Sequence, residues 1–246
     1  FRLVAPIADG LIFASNRSRE YYQSISPNCP MAIVPSVVDP NRFDHRKVSD
    51  ESSDILSLLG DWPVVGTLAS INPNKDISTF LKAFARVCET IPDSRALIVG
   101  PVYDSQKDYF RKLESQAESL GVSDRVVWAG ALRDVRPMLR RIDAYLCSSS
   151  NESSPMAVWE AMFMGRAVVS SDVGDVGLHI VDGDNGYITE VGDDALMAAR
   201  LAALLQDCDK RRVFGARARS AAITSFSPRI VAEKTEAFYR RILADR

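Results

Sequence analysis

From Val64 onward, short β-rich runs alternate with stretches of helical period, and this alternation constrains the fold more than any other feature of the chain. The runs are Val64 to Ala69, Ala96 to Val99, Arg125 to Trp128, Ala144 to Cys147 and Ala167 to Ser170, with Tyr187-Ile188 as a weaker sixth. Strands separated by helices pair in parallel through crossover connections, because only an antiparallel pair can be joined by a tight hairpin. Between the runs, Ile77, Phe80, Leu81, Phe84, Ala85 and Cys88 recur at helical spacing, and Tyr109, Leu113, Ala117 and Leu120 do so less strictly. Each set lays one apolar face on a sheet. The expected fold class is therefore α/β, a parallel sheet with helices on both faces. The tail from Asp193 reads as helical, with breaks near Asp207-Cys208-Asp209 and at Ser227-Pro228, where a serine cap and a proline start a last helix towards Leu243.

Residues 1 to about 50 read differently. One apolar strand spans Gly10 to Ala14, a polar helix runs from Ser15 to about Ser24, a second strand spans Ala32 to Val34, and a loop follows through Pro35, Pro40 and Arg46. The polar run Ser49 to Ser53 is expected to be a linker. At 246 residues with 46% hydrophobic content, the chain can bury one large core or one and a half. A formal net charge of −2, from 30 basic and 32 acidic residues, gives no global field for nucleic acid or an anionic membrane. Cys29, Cys88, Cys147 and Cys208 are widely spaced and only two histidines are present, so a reducing compartment and no structural zinc are expected. Charge interrupts every apolar stretch before membrane length. The chain begins at Phe1 with no signal peptide, which reads as a fragment.

Ligands in an open parallel sheet bind beyond the carboxyl ends of the strands, and three polar groups fall there. Lys75 follows the Val64 to Ala69 run, where the next helix begins. Glu152 and Glu160 follow Ala144 to Cys147 and enclose Ser153-Ser154-Pro155-Met156-Ala157-Val158-Trp159. If Pro155 takes the first helical position, Ser153 or Ser154 caps the helix and its first free amides point outward. Two acceptors for hydroxyl groups then flank a helix N-terminus that favours anions, which suits a polyhydroxylated ligand carrying phosphate. Third, Asp172-Val173-Gly174-Asp175 follows Ala167 to Ser170, with Gly174 allowing the backbone to approach a ligand. Taken singly, each group also has a plain reading as a solvated lysine, a surface carboxylate or a turn. Their joint placement at one edge argues for a site.

The run from Ser149 to Gly174 closely resembles the E-x7-E signature region of retaining glycosyltransferases of family GT4. The resemblance extends to Val65-Gly66 through Lys75-Asp76, to Leu97-Ile98-Val99-Gly100, to Val127-Trp128-Ala129-Gly130 and to Asp182 through Gly186. It implies the GT-B fold, two Rossmann-like domains facing across a cleft. Residues 1–50 would be the end of the acceptor domain with the interdomain connection, and 51–246 the donor-binding domain with its C-terminal crossover helix. By this resemblance Lys75 contacts the donor diphosphate, Glu152 sits near the transferred sugar and Glu160 holds the ribose hydroxyls. Backbone around Ser154, Pro155, Met156 and Ala157 meets sugar hydroxyls and phosphate, with Ser70 and Gly174 at the same site and Gly100 and Gly130 bordering the base. Three departures stand out: Ser70 replaces the arginine that commonly partners the lysine, Ser153-Ser154 replaces Gly-Phe, and Leu178 replaces a common acidic residue.

The implied partners are a nucleotide-diphosphate sugar and, through the missing first domain, a glycan, lipid-linked or small-molecule acceptor. Polysaccharide biosynthesis in the cytoplasm is the implied setting, with room for peripheral association of the full protein at the inner membrane face. No nucleic acid and no metal cofactor are expected. Asp182-Gly183-Asp184 spells a metal-binding D-x-D but precedes Asn185-Gly186, turn chemistry. His179 lacks a visible partner and reads as a partly buried loop residue, and Arg133, Arg136, Arg140 and Arg141 read as a solvated helix face. Rival readings are a non-catalytic sugar-nucleotide-binding module, favoured by Ser70, and a nucleotide-sugar epimerase or phosphorylase of the same fold. With most of the first domain absent, Ile230, Phe238 and Leu243 of the last helix are expected to lack part of their cover.

Overall fold

The computed structural model describes residues 7–26, 28–48 and 54–244. The Ser49 to Ser53 linker, and with it the division at residue 50, lies outside the described residues. Near the start, β1 (Leu11–Phe13) and β2 (Met31–Ile33) pair in parallel, joined by helix α1 (Asn16–Gln23). After α2 (Asp54–Leu59) the expected alternation follows. It comprises β3 (Val64–Leu68), α3 (Ile77–Thr90), β4 (Arg95–Val99), α4 (Lys107–Ser119), β5 (Val126–Gly130), α5 (Arg136–Arg141), β6 (Ala144–Cys147), α6 (Met156–Phe163), β7 (Ala167–Ser171), α7 (Val176–His179) and β8 (Tyr187–Thr189). The weak sixth run thus becomes the edge strand β8. Three helices close the chain, α8 (Asp194–Gln206), α9 (Cys208–Phe226) and α10 (Pro228–Ala244), with breaks where the sequence places them.

All six strands from β3 onward are parallel, in the order β5-β4-β3-β6-β7-β8. Alternate residues of each strand feed opposite cores, as a sheet covered on both faces requires. Val65, Ala96, Ile98, Leu146 and Val169 pack under α3, α4 and α8, with Phe80, Phe84 and Leu201. Val64, Leu97, Val99, Tyr145 and Val168 pack with Trp159, Phe163 and Phe226 from α6 and α9. Burying a side chain of this size contributes about 1.5–3 kcal/mol, so the two layers dominate the stability of the sheet.

The connections between the two sheets cross at one place. The amide of Val38, on the way in, donates to the carbonyl of Phe226 at 3.0 Å, and Arg219 of α9 donates to the carbonyl of Phe43 at 2.9 Å. Beyond Phe226, α10 returns to the two-stranded sheet. Its Phe238 is buried, against expectation, because Gly10 presents no side chain there: a β-carbon on Gly10 would lie 2.7 Å from the Phe238 ring. Arg241 adds a 3.3 Å bond to the carbonyl of Met31. Ile230 is half-buried, and Leu243, at 66% exposure, is the one of the three that stands open as expected.

Candidate functional site

The sheet is wound outward in both directions from β3 and β6, so the loops leaving their carboxyl ends diverge and open a crevice. The loop after β3 is built around a single 3₁₀ turn, Pro73–Lys75, with Asn72 as its cap. Asp76 ends that turn at φ 44°, the one non-glycine residue with positive φ among the described residues. Such a conformation costs on the order of 1–3 kcal/mol. It is offset in part because the same carboxylate caps α3, accepting from the Thr79 amide at 3.2 Å and its hydroxyl at 2.7 Å.

The loop after β6 is stapled to this turn. The buried Ser148 hydroxyl lies 3.1 Å from the carbonyl of Lys75 and 3.0 Å from that of Asp76, and the Ser150 amide donates to the Asn74 carbonyl at 2.8 Å. Lys75 Nζ, held from behind in this way, forms an ion pair with Glu152 Oε1, and Ser149 Oγ donates to the same oxygen at 2.9 Å. Lys75 and Glu152, which follow two different strands in the sequence, are therefore in direct contact.

The start of α6 differs from expectation. Pro155 is the cap residue rather than the first helical one, and no side chain caps the helix. Each candidate serine is engaged elsewhere. Ser154 Oγ accepts from Trp159 Nε1 at 3.1 Å, while Ser153 Oγ lies 2.7 Å from Ser15 Oγ and 2.9 Å from Ser18 Oγ at the head of α1. The first amides of α6, those of Met156 and Ala157, are consequently left for a ligand, since a helix offers its first turn no internal acceptor. Just beyond, Glu160 is half-buried. Burial pushes its carboxyl above the ordinary glutamate range, opposed by the nearby Arg42 guanidinium. No described residue donates a hydrogen bond to it.

These groups share a cavity of about 580 Å³, lined by Ser70, Lys75, Gly100, Glu152, Ser154 and Glu160 together with Met156 and Ala157. Gly100 sits at φ 155°, and a β-carbon there would lie 2.0 Å from the Ala69 carbonyl oxygen. Gly130, Pro155 and Gly174 stand outside the lining. Gly130 accepts the Gly100 amide at 2.8 Å and so supports the wall. At Gly174, φ 56°, a β-carbon would meet the Ser153 carbonyl oxygen at 2.3 Å. Its bareness accommodates the chain's own loop rather than a ligand.

Two lining arginines were not assigned to the site from the sequence: Arg42 was not singled out, and Arg133 was read as part of a solvated helix face. They bring back positive charge to a cavity whose usual arginine is Ser70. A search for a second cation, prompted by Ser70, was the signal available for them. Arg136, Arg140 and Arg141 are not the solvated face expected of them. Arg136 pairs with Asp134 and donates to the Arg42 carbonyl, Arg140 donates to the Val48 carbonyl at 2.8 Å, and Arg141 to the Gly60 carbonyl at 2.7 Å. Asp182 accepts the Ile188 amide at 3.0 Å and Asp184 pairs with Arg217, so the D-x-D serves a turn. His179 packs edge-on to Trp159 with ring centroids 5.2 Å apart, and burial lowers its pKa. On the far side of Glu152 lies another cavity, of about 540 Å³, lined by Arg17, Tyr21 and Tyr22 of α1.

A doubly wound parallel sheet with its polar residues gathered at the switch point, and a fragment of a second sheet facing them, is the architecture of a GT-B glycosyltransferase. The sequence profile described as Glycosyl transferases group 1 matches residues 48–221, and the chain belongs to that family. It is 25% identical over 226 residues to the N-acetyl-alpha-D-glucosaminyl L-malate synthase of Bacillus anthracis, covering 92% of this chain and 58% of that protein. The lipopolysaccharide core biosynthesis mannosyltransferase LpcC of Rhizobium leguminosarum bv. viciae is 24% identical over 237 residues, 96% of this chain and 66% of its own. Among solved structures, Anabaena HepE in complex with UDP-glucose superposes with a TM-score of 0.81 at 22% identity, over 96% of this chain and 64% of that one. The chain thus spans about 60% of the length of these proteins. No helix among the described residues is long and apolar enough to cross a membrane.

Proposed function

We propose that the chain is the donor-binding half of a retaining glycosyltransferase that uses a nucleotide-diphosphate sugar. One observation carries the reading: Lys75, Glu152, Glu160 and the open amides of Met156 and Ala157 converge on a single cavity at the switch point. Glu160, desolvated and without an internal donor, suits the ribose hydroxyls, which would supply the hydrogen bonds that its burial removes. Lys75 and the α6 amides suit the diphosphate, and Arg42 and Arg133 add charge where Ser70 adds none. Stabilising the departing diphosphate is then the protein's main chemical task, and loss of one such donor typically costs on the order of 10²–10³ in rate. Glu152 lines both the donor cavity and the cavity against α1, so it stands where transferred sugar and acceptor would meet. HepE, whose complexes contain UDP and UDP-glucose, supports uracil as the first base to try.

Calorimetric titration of the chain with UDP-glucose, GDP-mannose and ADP-glucose tests the reading. Saturable binding of one of them, abolished by substitutions at Lys75 and Glu160, is expected. Absence of binding by all three in a folded chain would overturn it. A non-catalytic binding module remains the rival that Ser70 favours, and donor turnover by the full-length protein separates the two. The isolated chain should bind donor yet transfer nothing until the missing acceptor domain is restored.

A further inference from the structure

Opposite the donor cleft, at the amino edge of the six-stranded sheet, lies a second cavity of about 580 Å³. It opens beside Asp143, just before β6, and Gly165 to Ala167, which lead into β7. Its walls carry Arg46, Arg166, Arg211, Arg212, Arg219 and His45, and Asp143 is the one carboxylate among the described lining residues. Arg211 reaches Asp143 at 3.6 Å, Arg212 reaches Asp209 at 3.6 Å, and Arg46 and Arg219 share Asp44 at 2.8 and 3.5 Å. Five guanidiniums therefore meet three carboxylates, which leaves the concave surface positive. His45 Nδ1 is buried there without a hydrogen-bond partner. Burial, and then repulsion from Arg166 and Arg219, depress the imidazole pKa, as expected beside an excess of cations.

We infer that this cavity binds a small phosphate-bearing anion, at a site separate from the donor cleft. Planar guanidiniums match phosphate oxygens in pairs, and several of them around one anion relieve their mutual repulsion. Arg166 and Arg211 are already oriented by backbone carbonyls, Arg166 by those of Arg140 and Ile142 and Arg211 by those of Leu204 and Leu205. Little side-chain freedom is then lost when an anion arrives. The concave shape favours a free small molecule over a lipid surface, which would meet a convex or flat patch.

Two physical links join this cavity to the donor cleft. Arg219 donates to the carbonyl of Phe163, the last residue of the helix that carries Glu160. It also donates to the carbonyl of Phe43, whose neighbour Arg42 lines the donor cleft. Anion occupancy and donor affinity should therefore be coupled, reciprocally; this coupling rests on the donor reading above, whereas the binding itself does not.

The test is calorimetric titration of the chain with pyrophosphate at low ionic strength, using the native chain, Lys75→Ala, and the double variant Arg46→Gln/Arg212→Gln. Arg46 and Arg212 are exposed, and Arg219 still pairs with the buried Asp44 when Arg46 is replaced, so a folded double variant is expected, which thermal melting checks. A saturable site is expected to survive Lys75→Ala within about twofold and to weaken about tenfold or more in the double variant, the scale of one lost charge-assisted contact. Loss of all pyrophosphate binding in Lys75→Ala would place the anion in the donor cleft and overturn the inference, as would unchanged affinity in the double variant. Cosedimentation with phosphatidylglycerol vesicles that pyrophosphate fails to displace would assign the charge to a membrane and equally overturn it.

Discussion

The two edges of one sheet carry different patterns of charge, one mixed and one of a single sign. At the carboxyl edge, Lys75 is already paired with Glu152, and Glu160 waits nearby without a partner, so acceptors and donors alternate along a cleft. At the amino edge guanidiniums dominate, and the few carboxylates serve only to hold them. A mixed edge can read hydroxyl groups and phosphate on one ligand, whereas a one-signed edge reads charge alone. The backbone follows the same division. Loops at the carboxyl edge are tied to each other through Ser148 and Ser150, while the amino edge is fixed by arginine side chains reaching carbonyls.

The comparison breaks most violently at the glycines that let each edge close. Gly100→Ala would thrust a β-carbon onto the Ala69 carbonyl at a φ that alanine rarely adopts, and should lower unfolding free energy by about 3 kcal/mol or more. Gly215→Ala, whose β-carbon would lie 2.1 Å from the Gly165 carbonyl oxygen, should do comparable damage at the amino edge. Chemical denaturation measures both. UDP affinity unchanged in a folded Gly215→Ala variant would mean that the link through Arg219 transmits nothing between the edges.

Lys75→Ala comes next. Removing a charge-assisted contact of roughly 1.5–3 kcal/mol should weaken UDP about 10- to 100-fold and leave uridine nearly untouched. Equal losses for both ligands in calorimetry would mean that the lysine acts only by holding Glu152. Glu160→Gln, by contrast, should weaken UDP and uridine alike, by about tenfold, because its partner is the ribose. Unchanged affinity in a folded Glu160→Gln variant would remove it from the ribose site.

The smallest effect is in pH. Because the folded chain holds the Glu160 proton more tightly than the unfolded chain, the associated stability is full below the ordinary value of 4.5 and is lost as pH rises through the raised folded value. Over that same window donor affinity should climb a few-fold, since hydroxyl donors need the ionised carboxylate. Titrating stability and UDP affinity in the native chain and in Glu160→Gln checks it. A slope that survives in the variant would assign the effect to another group.

Much of this was legible from the chain. Strands from β3 to β8 announce themselves because residues such as Val64, Val65, Leu97 and Ile98 must satisfy two cores at once, which leaves short, largely apolar runs. Lys75, Glu152 and Glu160 were legible because each follows a strand end. What was illegible depends on contacts between distant segments. Ser154 reads as a helix cap until Trp159 takes its oxygen, and Ser153 until α1 arrives. Gly174 reads as room for a ligand until the Ser153 backbone fills it. Arg42 and Arg133 lie in unrelated loops, and only folding brings them to the same cleft.

The crossing of Val38 over Phe226 has a mechanical meaning. Chain passes from the two-stranded sheet to the six-stranded one through the segment at Val38, and returns through α10, which begins just past Phe226. Tied there, the two passages form a hinge-like joint between the two sheets. The head of α1, where Asp175 receives the Asn16 amide at 2.8 Å, lies beside Ser153. Parting those contacts would uncover Ser153 beside Glu152 and leave the tie at Phe226 untouched.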